Sequence, residues 1–102
     1  MNIFESSPPG TNEQITALLT RPGVTIERIV SHDPASPTDF WYDQESDEWV
    51  ILLSGKAKLQ IHGQTEQTLV PGDYLFLPAH CRHRVTWTDP AQDSIWLAVH
   101  LS

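Results

Sequence analysis

Two side chains that can exchange protons or bind a metal ion, Glu48 and His83, open two separate strand-like segments of the chain. Side chains alternate across a strand, so Glu48 shares a face with Val50 and Leu52, and His83 shares one with Val85 and Trp87. If these apolar faces form the interior, the carboxylate and the imidazole point into one cavity. A buried carboxylate is costly unless it is paired or coordinated. The pattern therefore predicts a bound cation or a tight hydrogen-bond network at this point.

The N-terminal part of the chain differs from the rest. Residues 1–10 end in two prolines and a glycine, and we expect a loosely held lead-in there. Thr11 or Asn12 then precedes apolar residues at helical spacing, which predicts a short helix that ends at Arg21-Pro22-Gly23. The apolar residues of this predicted helix are Ile15, Leu18 and Leu19.

The remainder of the chain consists of short strand-like runs separated by turn residues. A strand from Val24 to Val30 is followed by a proline-containing loop over residues 31–39 and by extended chain at residues 40–42. Close spacing of short strands is typical of antiparallel barrels and sandwiches, and 102 residues suit one core. We expect a single all-β domain, residues 1–102, with its barrel over about residues 24–101. The later strands are predicted at residues 48–53, 57–62, 65–70, 74–77, 83–87 and 94–101.

Two motifs stand out within these strands. The first, Glu48-Trp49-Val50-Ile51-Leu52-Leu53-Ser54-Gly55, follows Tyr42 and Gln44, and the second runs from Gly72 through Pro78 and His80 to His83. The second resembles a cupin superfamily motif: Gly, five residues, Pro, one residue, Gly, two residues, His. His80 replaces its second Gly. The first resembles the end of the other cupin motif, with Tyr42 and Gln44 in place of two histidines.

The resemblance implies an antiparallel double-stranded β-helix, or jelly-roll barrel, with a site inside it. Glu48 and His83, with Gln44 as an oxygen donor, would form a mixed nitrogen and oxygen site for a divalent ion such as Zn, Ni, Mn or Fe. The alternative is a metal-free core in which Glu48 forms a hydrogen bond with His83 or Tyr42.

Two functions follow from these alternatives. In the first, the ion acts as a Lewis acid on a small oxygenated metabolite, while Tyr42 or His80 moves a proton in isomerase or lyase chemistry. In the second, the same pocket binds or senses a small ligand without transforming it. Whether the chain is an enzyme stays open, because the fold alone does not choose an activity.

Several other side chains bear on the pocket. Arg82 and Arg84 flank His83 and are expected to point away from the cavity, which leaves little positive charge for a strongly anionic substrate. His100 is interpreted either as a further ligand or as an ordinary strand histidine, and Cys81 is given no role. The aromatic residues expected at the barrel mouth are Tyr42, Trp87, Trp96 and either Tyr74 or Phe76.

Composition limits the partners. A net charge of −7 disfavours nucleic acid and anionic membrane surfaces, and no apolar run is long enough to cross a bilayer. The single cysteine, Cys81, fits a reducing compartment, so we expect a cytoplasmic protein whose partner is a small molecule. The strand from Ser94 to Leu101 is apolar in both phases, so either the sandwich or a second copy in a homodimer is expected to cover it.

Overall fold

The computed structural model describes residues 2–5, 13–31 and 40–102, and all of their regular structure is β. Every strand pairing within this part of the chain is antiparallel. The strands are β1 (Gln14–Arg21), β2 (Val24–Ser31), β3 (Asp47–Ser54), β4 (Ala57–Ile61), β5 (Gln67–Leu69), β6 (Tyr74–Leu77), β7 (His83–Thr88) and β8 (Ser94–Leu101).

The strands form two sheets, a five-stranded one in the order β1-β2-β8-β3-β6 and a three-stranded one in the order β5-β4-β7. The inner faces of the two sheets meet in one hydrophobic core. Its buried members are Val50, Leu52, Ala57, Leu59, Leu69, Leu77, Trp96 and Ala98. These residues occupy alternate positions of their strands, as a half-buried sheet requires. The all-β prediction, with one core between two sheets, is confirmed.

The predicted N-terminal helix is wrong. Residues 14–21 form β1, which pairs with β2 through a two-residue turn at Pro22 and Gly23. The register shifts between Ala17 and Leu19, so this bulge gives a strand the apolar spacing that otherwise indicates a helix. Gly23 has a φ of 78°, which the second central residue of such a turn needs. The proposed helix caps Thr11 and Asn12 lie outside the described residues.

The other strand predictions are confirmed, with bounds that differ by one or two residues. β6 and β8 have the predicted bounds, whereas the strand expected at residues 65–70 is limited to Gln67–Leu69. Residues 6–10 of the expected lead-in and residues 32–39 of the expected loop lie outside the described part. In the residues that are described, no helix has the length and apolarity needed to span a bilayer.

The outer face of the five-stranded sheet carries apolar residues in register across β2, β8, β3 and β6. Ile26 pairs with Val99, Val99 with Trp49, and Trp49 with Phe76. Phe76 is 54% exposed. The homodimer, in which a second copy of the chain would cover this face, stays a prediction.

Gly55, which joins β3 to β4, tests how tightly this hairpin packs on β8. A Cβ at Gly55 would lie 2.6 Å from both the Cα and the Oγ of Ser94, and φ at Gly55 is 89°. Gly63 has a similar φ of 82° but open space around its Cα. We expect Gly63→Ala to cost about 1 kcal/mol of stability through φ alone, and Gly55→Ala at least about 2 kcal/mol more through overlap.

Urea unfolding of both variants and the parent measures this difference. Equal losses in the two variants would show that the Gly55 turn moves away from Ser94 at no cost.

Candidate functional site

A pocket of about 110 Å³ opens between the two sheets. Its apolar wall is formed by Ile15, Ile29, Val50, Leu59, Leu77, Val85 and Trp96. Its polar side chains are Glu13, Glu27, Tyr42, Gln44, Glu48, His83 and His100. An apolar cavity with a few convergent polar groups is the usual form of a small-molecule site.

Glu48 and His83 point into this pocket from opposite sheets. Glu48 lies near the start of β3 and His83 at the start of β7, and they are 6% and 7% exposed. The distance from His83 Nε2 to Glu48 Oε1 is 3.7 Å. The structure therefore brings together the carboxylate and the imidazole that alternation along the strands placed on interior faces.

Two contacts orient the His83 ring. Its Nδ1 lies 2.9 Å from the carbonyl oxygen of Cys81, and because a carbonyl can only accept, Nδ1 carries the proton. In the neutral imidazole, Nε2 therefore presents a lone pair to Glu48. The Tyr42 ring stacks on the imidazole with centroids 5.6 Å apart, and the two residues exchange backbone hydrogen bonds of 2.8 and 3.1 Å. Tyr42 thus holds His83 in place from one side of the pocket.

Glu48 is electrostatically unfavourable where it lies. Its Oε1 is buried and has no hydrogen-bond partner among the residues that the structure describes. Burial raises the pKa of Glu48, the imidazoles of His100 and His83 oppose that rise when they are protonated, and the Glu27 carboxylate adds to it. The structure therefore keeps a costly acid in the pocket wall, facing a lone pair 3.7 Å away.

A second acid and imidazole lie beside the first pair. His100 Nε2 is 2.9 Å from Glu27 Oε1, and both side chains are mostly buried. His100 is also directly opposite Glu48 in the β3–β8 ladder. Of the two interpretations of His100, the structure places it in the pocket wall, paired with Glu27.

Glu13 completes the set of acids at the open rim of the pocket. Partial burial raises the pKa of Glu13, and the Glu48 carboxylate adds to the rise, while the nearby polar side chains of Ser31 and Tyr42 oppose it. Sequence reasoning missed Glu13 because it was assigned to a helix. It missed Glu27 because apolar residues occupy both faces of β2, so alternation did not show which face is interior.

The remaining predicted site residues separate into two groups. Gln44 lines the pocket together with Tyr42. His80 does not line it: its side chain is 68% exposed and its Nδ1 lies 2.8 Å from Asp43 Oδ1. Its φ of 62° is the left-handed conformation that glycine adopts most easily, as the cupin motif requires at that position. The His80 backbone N–H donates to the Gln44 carbonyl at 2.7 Å, so this turn supports Gln44.

The aromatic residues also separate. Tyr42 and Trp96 line the pocket, whereas Tyr74 and Phe76 are 64% and 54% exposed on the outer face of β6. Trp87 does not line the pocket, and Lys58 Nζ lies 5.6 Å from its ring centroid. The register shift between β4 and β7 turns Trp87 out of the phase of His83 and Val85.

The pocket offers few side chains that could hold the expected divalent ion. Across residues 2–5, 13–31 and 40–102, no three His, Cys, Asp or Glu side chains converge closely enough to hold a metal ion. Glu48 and His83 nevertheless present two free acceptors. Two ligands at about 2.1 Å from a shared ion and at roughly tetrahedral angles lie about 3.4 Å apart, close to the separation seen here. The residues fit a weakly held ion with two strong protein ligands.

The fold and the pocket define a small β-barrel protein with an internal site. The cupin domain family model matches residues 26–100. The chain therefore belongs to the cupin family.

Known structures share the fold. The chain is similar to a Ralstonia eutropha protein that carries the provisional name mannose-6-phosphate isomerase, with 47% identity, coverage of 100% of this chain and 96% of that one, and a TM-score of 0.95. A cupin superfamily protein from Desulfitobacterium hafniense is 22% identical over 94% of this chain and 83% of its own, with a TM-score of 0.76. The DMSP lyase of Ruegeria pomeroyi is 16% identical over 89% and 47%, also with a TM-score of 0.76. No curated protein matches the sequence.

The raised pKa of Glu48 predicts a pH-dependent cost to stability in metal-free protein. Between the ordinary value of 4.5 and its raised value in the folded state, the folded protein holds a proton that the unfolded chain has released. Stability therefore falls as pH rises through this window. We expect Glu48→Gln to be more stable than the parent at pH 8, by about 1–2 kcal/mol, and to lose this advantage toward pH 4.

Thermal unfolding after treatment with chelator measures the difference at each pH. Glu66→Gln is the control, because the Glu66 side chain is 42% exposed and lies outside the pocket. A Glu48→Gln variant less stable than the parent at pH 8 would show that the carboxylate is satisfied in the folded protein.

Proposed function

We propose that this cupin binds a small oxygenated metabolite in the pocket and acts on it in isomerase or lyase chemistry, with a divalent ion held by Glu48, His83 and Gln44. One observation carries the proposal. Glu48 Oε1 is buried without a hydrogen-bond partner among the described residues, and it lies 3.7 Å from His83 Nε2, which offers a lone pair when Nδ1 donates to the Cys81 carbonyl. Two facing acceptors require a cation or a shared proton.

The ion, when bound, would supply Lewis acidity that polarises a carbonyl or an enediol. The chain's own side chains would orient the ligand and move the proton. Tyr42 is placed for this role because it lines the pocket and stacks on His83. His80 was the other expected proton carrier, but its exposed position on Asp43 does not favour that role.

The relative from Ralstonia eutropha supports an isomerase rather than a lyase. Its provisional name is that of a sugar isomerase, and it is 47% identical over the whole of this chain. Interconverting an aldose and a ketose moves a proton between adjacent carbons, which needs one acid or base and a polarised carbonyl. The pocket offers both kinds of group.

A non-catalytic binding or sensing module is the second candidate. It is favoured by the altered motif, in which Tyr42 and Gln44 occupy positions that hold histidines in the cupin pattern. In that case Glu48 and His83 would bind the hydroxyl or amino donors of a ligand that leaves unchanged.

Metal content separates the two candidates. We expect protein purified without chelator to contain a divalent ion by elemental analysis, and Glu48→Gln and His83→Ala each to weaken Mn²⁺ or Ni²⁺ binding by at least about tenfold. His80→Ala is the matched control because it removes an exposed imidazole outside the pocket. Two results together would contradict the catalytic proposal: purified protein that contains no metal, and affinities for metal and ligand that neither pocket substitution changes.

Metal occupancy should also depend on pH. A bound imidazole must be neutral and a bound carboxylate ionised, so occupancy should fall as pH drops from roughly 6.5 toward 4. Burial raises the pKa of Glu48, which moves the loss toward the upper part of this range. Equilibrium dialysis against a fixed Mn²⁺ concentration measures it. Occupancy unchanged at pH 5 would exclude His83 as a ligand.

A further inference from the structure

The charges that face the pocket are unbalanced. Among the residues that the structure describes, three carboxyl groups line it, those of Glu13, Glu27 and Glu48, against the two imidazoles of His83 and His100. Even when His100 is protonated and Glu27 is ionised, their contact at 2.9 Å is an ion pair with no net charge. If Glu13 or Glu48 holds a proton, it offers a hydrogen bond but no positive charge. With both imidazoles neutral, no protonation state of the acids gives the pocket a positive charge.

No permanent cation offsets these acids. All six Lys and Arg residues of the chain lie in the described ranges, none of them lines the pocket, and the remaining residues contain none. Arg28 donates to the carbonyls of Ile3 and Glu5 on the outer side of β2. Arg84 lies over the Trp41 ring, 4.9 Å from its centroid. A phosphate group in the pocket would find no guanidinium or ammonium partner.

Glu48 and His83 each present the pocket with an atom that accepts hydrogen bonds. Glu48 is 6% exposed, lines the pocket, and has an Oε1 without a hydrogen bond. His83 Nε2 presents its lone pair beside it. A ligand that satisfies these atoms must bring hydrogen-bond donors or coordinate through an ion, and hydroxyl groups do either.

We infer that the pocket selects uncharged, hydroxyl-bearing metabolites and rejects their phosphorylated forms. This inference rests on the proposed binding of a small oxygenated metabolite and narrows its chemical class. A divalent ion at Glu48 and His83 would bring two positive charges, of which the Glu48 carboxylate neutralises one, and the acids Glu13 and Glu27 on the same wall would oppose the other. The selected class therefore differs from the phosphorylated sugar in the provisional name of the Ralstonia eutropha relative.

Two matched pairs of probes test the selectivity: mannose with mannose 6-phosphate, and glyceraldehyde with glyceraldehyde 3-phosphate. Calorimetric titration with the metal-replete protein should show each uncharged member binding about tenfold or more tightly than its phosphate ester. Glu27→Gln and Glu13→Gln should each narrow that ratio, whereas Glu66→Gln, which removes one acid outside the pocket, should leave it unchanged.

Equal or tighter binding of the phosphate esters would overturn the inference and leave the proposed function standing. If none of the four probes binds, the result counts against the proposed function. The preference of the pocket for cations over anions is then measured without a ligand.

Trp96 provides that second measurement, because it lines the pocket and is 4% exposed. In a variant with Trp41, Trp49 and Trp87 changed to Phe, each quenching constant of Trp96 is divided by that of the same ion for free N-acetyltryptophanamide. We expect this normalised constant to be at least about twofold larger for caesium than for iodide at equal ionic strength. Glu27→Gln in that background should reduce the preference, and Glu66→Gln should not. A normalised iodide constant equal to or larger than that of caesium would overturn the inference by itself.

Discussion

The candidate site depends on two hydrogen-bond acceptors that face each other across the pocket. His83 gives the proton of its Nδ1 to the Cys81 carbonyl, so Nε2 can offer only a lone pair to the Glu48 carboxylate 3.7 Å away. Neither atom can satisfy the other without a proton or a cation. Such an arrangement lowers the free energy of unfolding of the protein alone, and a bound cation or hydrogen-bond donor removes this loss. This imbalance is the feature of the pocket that supports the proposed binding of a cation or a ligand.

The barrel makes this imbalance possible because it holds the two groups on different sheets. Glu48 belongs to the five-stranded sheet and His83 to the three-stranded one, and the core residues between them keep the sheets at a constant separation. The backbone bridge from Tyr42 to His83 ties the loop before β3 to the start of β7. Both side chains are buried, and Glu27 and Glu13 line the same pocket.

Bulges explain most of the differences between expectation and structure. A register shift in β1 gave Ile15, Leu18 and Leu19 a spacing that indicates a helix, and another between β4 and β7 turned Trp87 away from the pocket. Each inserted residue reverses the alternation on which face assignments rest. Nothing in the local sequence marked either shift, because a bulge is stabilised by the neighbouring strand.

The sequence by itself determined the class of fold, most strand positions and the two interior groups Glu48 and His83, because alternation and turn residues are local properties. The cupin motifs added Tyr42 and Gln44 to that set. Only the tertiary structure decided that Glu27 and His100 form a second acid and imidazole pair, since β2 and β8 meet across 73 residues of chain. Which face of a two-sided strand is interior depends on the sheet packed against it, and no residue on the strand carries that information.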